Sequence, residues 1–381
     1  MKKFAKIAAL AGVSVMMLSS TALAGDTFKI GTIGPLTGAG AAYGNAVMNG
    51  AQIAVDEINE AGGINGAQVE FKAEDDQLDE EKAVTAYNSL KDWDMQILLG
   101  TVTSGSCLAV STEAAPDADN IFMLTPSGSQ KDCIAAGDNE FRVCFSDPDQ
   151  GSASAIYIGE HGLAEKVGVI YNSSIDYSKG IYATFRQEAE EQPFEIVAAE
   201  AFTNGSVDFS AQLQSLKDAG AELVYLPFYY DEIAVVLKQA KDMDFAPIWF
   251  GVDGMDGLLT VEGFDQSLAE GCILLTPFSA DAEDELTVNF VTKYQELYGE
   301  VPNQFAADAY DGMYILKAAI EKAGATPDMS ASEISDIVKV AMTEISVDGL
   351  TGTGMTWNAD GEPSKSPKTV QIQNGVYVGM E

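Results

Sequence analysis

The chain has 381 residues, 46% of them hydrophobic, and a formal net charge of −37. That length accommodates two domains with full cores, and so acidic a surface repels phosphate backbones and anionic headgroups, which argues against nucleic-acid binding. Four cysteines without a C-x-x-C pair, and a single histidine, offer little for a zinc site, a thioredoxin-like site or a histidine-based catalytic set.

The first 24 residues read as an export signal. Lys2, Lys3 and Lys6 precede an apolar run from Ile7 to Met17, which is short for a bilayer span. Ala22-Leu23-Ala24 supplies the small-x-small pattern of a cleavage site, so the cut is expected after Ala24. Removing three lysines and no acids takes the charge to about −40. No cysteine lies near the cut, so no lipid anchor is expected, and the mature protein is expected to be periplasmic or secreted.

Strand-like and helix-like segments then alternate. Phe28 to Ile33 predicts a strand, and Asn45 to Ala61 a helix stopped by Gly62-Gly63. Val69 to Glu74 is a second strand, Lys82 to Lys91 a second helix, and Ile97 to Gly100 a buried strand followed by a polar turn and another helix. Ile121 to Thr125 is the next strand. The rhythm restarts after Gly151, with strands expected at 167–171, 196–201, 223–227 and 248–251. Between them, Phe209, Leu213 and Leu216, and then Ile233, Val236, Leu237 and Ala240, each give one apolar helical face. Helices are expected at 286–297 and 307–323, and short strands at 354–357 and 369–374. Alternating β and α units predict an α/β fold with two doubly wound parallel-sheet lobes. Candidate crossings between them are 145–148, 276–278 and 349–352.

Ligands of open α/β sheets bind beyond the carboxyl ends of the strands. Four loops there carry chemistry: Gly34 to Gly38 leading to Tyr43-Gly44, Thr101 to Ser106, Pro126 to Ser129, and Gly251 to Gly254. Together they suit a zwitterion. Ser104 to Ser106 would offer N–H groups and hydroxyls to a carboxylate at a helix start, and Asp253 would pair with an ammonium. Each feature also has an ordinary structural role, Ser104 as an N-cap and Asp253-Gly254 as a turn. Cys133 and Cys144 flank a short acidic loop and are the expected disulfide, with Cys107 as the alternative partner of Cys133; Cys272 reads as a buried thiol.

The segments Ile30 to Gly38, Glu57 to Gly66, Glu74-Asp75-Asp76, Phe141 to Cys144, Asp208-Phe209-Ser210 and Ala309-Tyr310-Asp311 resemble the periplasmic branched-chain amino-acid-binding proteins, in order and over nearly the whole mature chain. The resemblance implies a type I periplasmic binding fold, two lobes with three short crossings, a ligand in the cleft, no cofactor, and delivery of the ligand by a monomer to the membrane permease of an ABC importer. It divides the chain into an N-terminal lobe of 25–145 plus 279–350 and a C-terminal lobe of 146–278 plus 351–381. Carried over by position, it makes Ser104 the carboxylate-binding serine, Ser127 a backbone contact and Ser129 a head-group contact. It makes Asp253 the ammonium partner and Tyr229 its neighbouring pocket tyrosine, with Tyr43, Val102, Tyr177 and Phe305 lining the side-chain end. The acid is Asp where the prototype has Glu, and Pro126 to Ser129 is more polar than the commoner loop, which leaves the ligand side chain open.

Two rival expectations have their own discriminants. An enzyme would need a catalytic set; His161, the only histidine, reads as a helix-end residue, and no nucleophile elbow, zinc motif or phosphate loop is present. A sensor of the same fold would be expected to carry a transmembrane helix and an output domain, for which the sequence gives no sign, and an amide or urea receptor would not need Asp253 as an ammonium partner.

Overall fold

A computed structural model of the protein describes residues 27–380. The expected export signal and its cleavage site lie outside them.

The first sheet is wholly parallel and consists of β1 (Thr27–Gly34), β2 (Gln68–Asp75), β3 (Ile97–Thr101), β4 (Phe122–Thr125) and β5 (Glu140–Arg142). Its strand order is β2-β1-β3-β4-β5. β3 and β4 are buried along their full length, because helices cover both faces of the sheet. α1 (Ala41–Glu60), α2 (Glu80–Asp92) and α3 (Ser104–Ala114) make the crossovers between the strands. α1 begins earlier than its apolar pattern foretold. Its first turn lies against the Pro35 loop so closely that a Cβ at Gly44 would sit 2.1 Å from Pro35 O.

α4 (Asp147–Glu160) opens the second lobe. There β6 (Lys166–Asn172), β7 (Glu195–Phe202), β8 (Leu223–Leu226), β9 (Ile248–Gly251) and β10 (Ile273–Thr276) repeat the same parallel order, as β7-β6-β8-β9-β10. α5 (Asp176–Ala189), α6 (Ser210–Asp218) and α7 (Tyr230–Asp242) connect them. α8 (Glu285–Tyr298), α9 (Gln304–Ala323) and α10 (Ala331–Met342) return to the first lobe, where α9 packs on α1 and α10 on β4. Finally β11 (Lys368–Gln373) and β12 (Val376–Gly379) extend the second sheet antiparallel from β10. Among the described residues no helix is long and apolar enough to cross a membrane.

The third crossing falls later than Gly349 to Gly352. Asp311 of α9 accepts from Leu350 N, Thr351 N and the Thr351 hydroxyl, at 2.6–2.9 Å. Trp357 Nε1 donates to Arg142 O, Arg142 N donates to Gly361 O, and Lys365 pairs with buried Asp308 at 2.6 Å. These bonds hold 350–365 to the first lobe, and the chain reaches the second sheet only at β11. The strand expected at 354–357 is reduced to isolated bridges, Val347 to Met355 and Trp357 to Pro363.

Cys133 and Cys144, the expected pair, are not joined, and all four cysteines are buried. β5 separates the two residues. Cys133 packs on the back of the first sheet with Cys107 and Val110, while Cys144 lies past the strand near the buried charges of Arg142, Asp308 and Asp253.

Candidate functional site

On the first lobe the site is built where β3 and β4 end. Thr103 is the extended N-cap of α3 and makes no side-chain cap bond, so Ser104 is the first helical residue and not the cap. The Ser104 hydroxyl accepts from Gln130 N at 3.2 Å. The first N–H groups of α3 have no partner within the helix and carry its positive end. The loop after β4 is tied to β3 by two hydroxyls. Thr125 donates to Thr101 O at 2.7 Å, and Ser127 donates to Val102 O at 2.7 Å. Ser129 follows, its hydroxyl buried and without a hydrogen-bond partner.

On the second lobe, Tyr177 lies on the first turn of α5, Tyr229 caps α7, and Asp253 begins a short 3-10 turn after β9. The Tyr177 hydroxyl donates to Asp253 Oδ1 at 2.5 Å and accepts from Gly254 N at 3.0 Å. Gln150 Oε1 accepts from Asp253 N at 3.2 Å. Burial pushes the Asp253 carboxyl up to about 6, and the hydrogen bond from Tyr177 restrains the rise.

Several bonds cross from lobe to lobe. Tyr43 Oη of α1 donates to Gly254 O at 2.5 Å and accepts from Tyr230 N at 3.3 Å. Asp231 accepts from Gly40 N, the Tyr230 hydroxyl accepts from Ala42 N, and Gln304 Nε2 donates to Asp253 O. The Tyr43 ring lies 4.4 Å from Phe305 and 5.6 Å from Tyr229, which lies 5.0 Å from Tyr177. The lobes are closed. Between them lies a cavity lined by all nine residues singled out in the sequence together with Thr103 and Gly254. Its volume, about 10 Å³, holds one water at most. A solute the size of an amino acid therefore needs the lobes to part before it can enter.

Two residues beside this cavity escaped the sequence reading. Asp147 is 1% exposed, yet neither carboxylate oxygen has a hydrogen-bond partner. Gln150 is fully buried with Nε2 unpaired. Asp147 N donates to Ser129 O at 2.8 Å, which sets the acid against the Ser129 loop. Burial pushes Asp147 well above the usual carboxylate range; the nearby Ser129 hydroxyl offsets part of this, and the Asp253 charge adds to it. A signal was available in the sequence. Ser146 and Asp149 form a capping box at the start of α4, which accounts for Asp149 and leaves Asp147, inside the first turn, without a capping role.

The chemistry that follows is recognition of opposite charges. Unpaired acceptors on Asp147 and Ser129, beside the carboxylate of Asp253, form an anionic end that one ammonium would satisfy. The α3 N-terminus forms an electropositive end. His161 takes no part: it caps the far end of α4, exposed, with its ring stacked on Tyr157 at 3.9 Å. A larger groove of about 910 Å³ between Ala41 and Tyr377 shares no lining residue with this cavity.

A family model described as periplasmic binding protein matches residues 27–376. A Leu/Ile/Val-binding protein homologue from Brucella melitensis is 30% identical over 92% of this chain and 93% of its own length. A leucine-, isoleucine-, valine-, threonine- and alanine-binding protein from Pseudomonas aeruginosa is 29% identical over 85% of this chain and 86% of its own. Among solved structures, the branched-chain amino acid transporter substrate binding protein of Streptococcus pneumoniae, in complex with isoleucine, superposes with a TM-score of 0.83. It is 31% identical and covers 93% of this chain and 100% of its own.

Proposed function

The chain belongs to the periplasmic binding protein family, in the branch of the Leu/Ile/Val-binding proteins, and from that premise we propose that it captures an α-amino acid between its lobes and presents it to the membrane permease of an ABC importer. In this reading the carboxylate sits at the α3 N-terminus on Ser104 and the Ser127 backbone. The ammonium lies among Asp253, Asp147 and Ser129, and the side chain points toward Tyr43, Val102, Tyr177, Tyr229 and Phe305. A branched-chain or similar aliphatic side chain suits that apolar and aromatic end, and agrees with the isoleucine held by the pneumococcal neighbour. The protein acts as an exported monomer and needs no cofactor.

Capture works by closure. A ligand that touches Ser104 on one lobe and Asp253 on the other favours the closed form, because only that form offers both sets of contacts. The interlobe bonds of Tyr43, Tyr230 and Asp231 hold the closed form once the ligand is enclosed.

One observation carries this reading: Ser129 keeps a buried hydroxyl unpaired on the wall of a closed cavity that Asp253 also lines, and the unpaired carboxyl of Asp147 lies against the Ser129 loop behind it. Buried polar groups are normally satisfied, so orphans of this kind mark the place of a missing partner. Mass spectrometry of small molecules released from the purified, denatured protein, followed by calorimetric titration of amino acids and amides, tests it. An α-amino acid bound with one-to-one stoichiometry is expected. Tight binding of an uncharged amide or urea, with no response to amino acids, would overturn it.

A further inference from the structure

Two thiols lie directly beneath the Ser104 end of the cleft. Cys107, on the first turn of α3, and Cys133, in the 3-10 turn at Lys131–Ile134, are both fully buried in the cluster behind the first sheet. Each thiol sits against the other's segment of chain. Cys107 Sγ lies 3.6 Å from Cys133 O, and Cys133 Sγ lies 3.7 Å from Ser104 O. Gly128 makes the room, since a Cβ there would sit 2.8 Å from Cys107 Sγ. Neither Cys144 nor Cys272 belongs to this cluster.

We infer that Cys107 and Cys133 are joined by a disulfide in the exported protein, and that the bond staples α3 to the turn after Ser129 so that the Ser104 and Ser129 loops keep their register. The inference rests on the export part of the function proposed above. The cysteines are 26 positions apart, so the link closes a sizeable loop and removes entropy from the unfolded chain. It also crosses the place where Gln130 N meets the Ser104 hydroxyl, which pre-organises the carboxylate end of the cleft.

The chemistry is thiol–disulfide exchange with a protein disulfide donor of the extracytoplasmic compartment, while the chain is still folding. One cysteine loses its proton to solvent, and its thiolate attacks a donor sulfur. A mixed disulfide forms and the first donor thiolate leaves. The second cysteine, also deprotonated, then attacks the sulfur of the first. The intramolecular bond forms, the second donor thiolate leaves, and both donor thiolates take up protons. The two cysteines are oxidised and the donor disulfide is reduced.

Protein recovered after export, unfolded without reductant, alkylated with iodoacetamide and digested, should carry label on Cys144 and Cys272 only. The peptides of Cys107 and Cys133 should appear as one linked species, lighter than their sum by two hydrogens. Dithiothreitol should split that species and lower the thermal midpoint to that of a Cys107→Ser, Cys133→Ser double variant, whose own midpoint should ignore the reductant. Label on all four cysteines before reduction, or a link through Cys144 or Cys272, would overturn the inference. So would a midpoint that reductant does not move. None of these results depends on ligand binding, so failure here leaves the amino-acid reading standing.

Discussion

Tyr177 and Asp253 form one fixed unit. The tyrosine hydroxyl donates to Oδ1 at 2.5 Å and is itself held by Gly254 N at 3.0 Å, so the carboxylate keeps its second oxygen for a ligand. Both residues lie on the second lobe and reach the cleft from different strands, β6 and β9. The unit is costly without its partner. Burial raises the folded pKa of Asp253 from 3.8 to about 6, so the folded chain is penalised whenever that group is ionised.

The penalty is absent below about pH 4 and complete above about pH 6. Asp253→Asn is therefore expected to stabilise the ligand-free protein at pH 7, by about 1–3 kcal/mol, and to give no such gain at pH 4. The same change should weaken amino-acid binding by roughly 100-fold or more, since an ammonium loses its buried counter-charge. Denaturant unfolding at the two pH values and calorimetric titration check both halves. Stability without affinity is the signature of a functional acid; a structural acid would show loss of stability.

Affinity for a zwitterion should fall as pH drops below about 6. The empty site then holds a proton on Asp253, and the incoming ammonium must displace it. One displaced proton steepens the decline toward roughly tenfold per pH unit. Titrations in buffers of differing ionisation enthalpy should register proton release on binding near pH 5.5. A flat profile would remove Asp253 from the ammonium site.

Ser129 and Ser127 are neighbours with opposite expected phenotypes. The Ser129 hydroxyl is buried and unpaired, so Ser129→Ala should leave the free protein as stable or more so, and cost about 1.5–3 kcal/mol of binding as a lost hydrogen bond to a charged group. Ser127 donates to Val102 O, so Ser127→Ala should cost about 1 kcal/mol of stability and affect binding less. Thermal unfolding and titration of the two variants side by side separate a ligand contact from a loop tie.

Tyr43→Phe keeps the ring contacts with Phe305 and Tyr229 but removes the interlobe bond to Gly254 O. Losing about 1 kcal/mol from the closed form shifts the equilibrium roughly fivefold toward the open one. Small-angle scattering should show a larger radius of gyration than the parent at subsaturating ligand, with compaction restored at saturation. Affinity should fall by a similar small factor.

Much of the site was legible in the sequence because its residues sit at strand ends, where local pattern is strongest. Val102 and Ser104 follow the apolar run of β3, Ser127 and Ser129 follow β4, and Asp253 follows β9. β5 was hidden because Glu140 and Arg142 look like surface residues. Both are buried: Ala136 N and Gly137 N satisfy one oxygen of Glu140, and Arg142 donates to Ser129 O and Lys131 O. α10 carried a readable signal that went unused, with Ser330 and Glu333 as a capping box ahead of Ile334, Val338 and Met342.

The sequence by itself determined two lobes of alternating β and α, and the glycine- and hydroxyl-rich loops at their strand ends, because hydrophobic period and turn chemistry are properties of neighbouring residues. Tertiary structure alone decided the rest. It set Asp147 against Ser129, carried 350–365 back onto the first lobe through Asp311 and Lys365, and placed Cys133 beside Cys107 instead of Cys144. Each of these is a contact between distant segments made in a buried, low-dielectric interior. Which partner a charge or thiol finds there depends on packing, and spacing along the chain does not encode it.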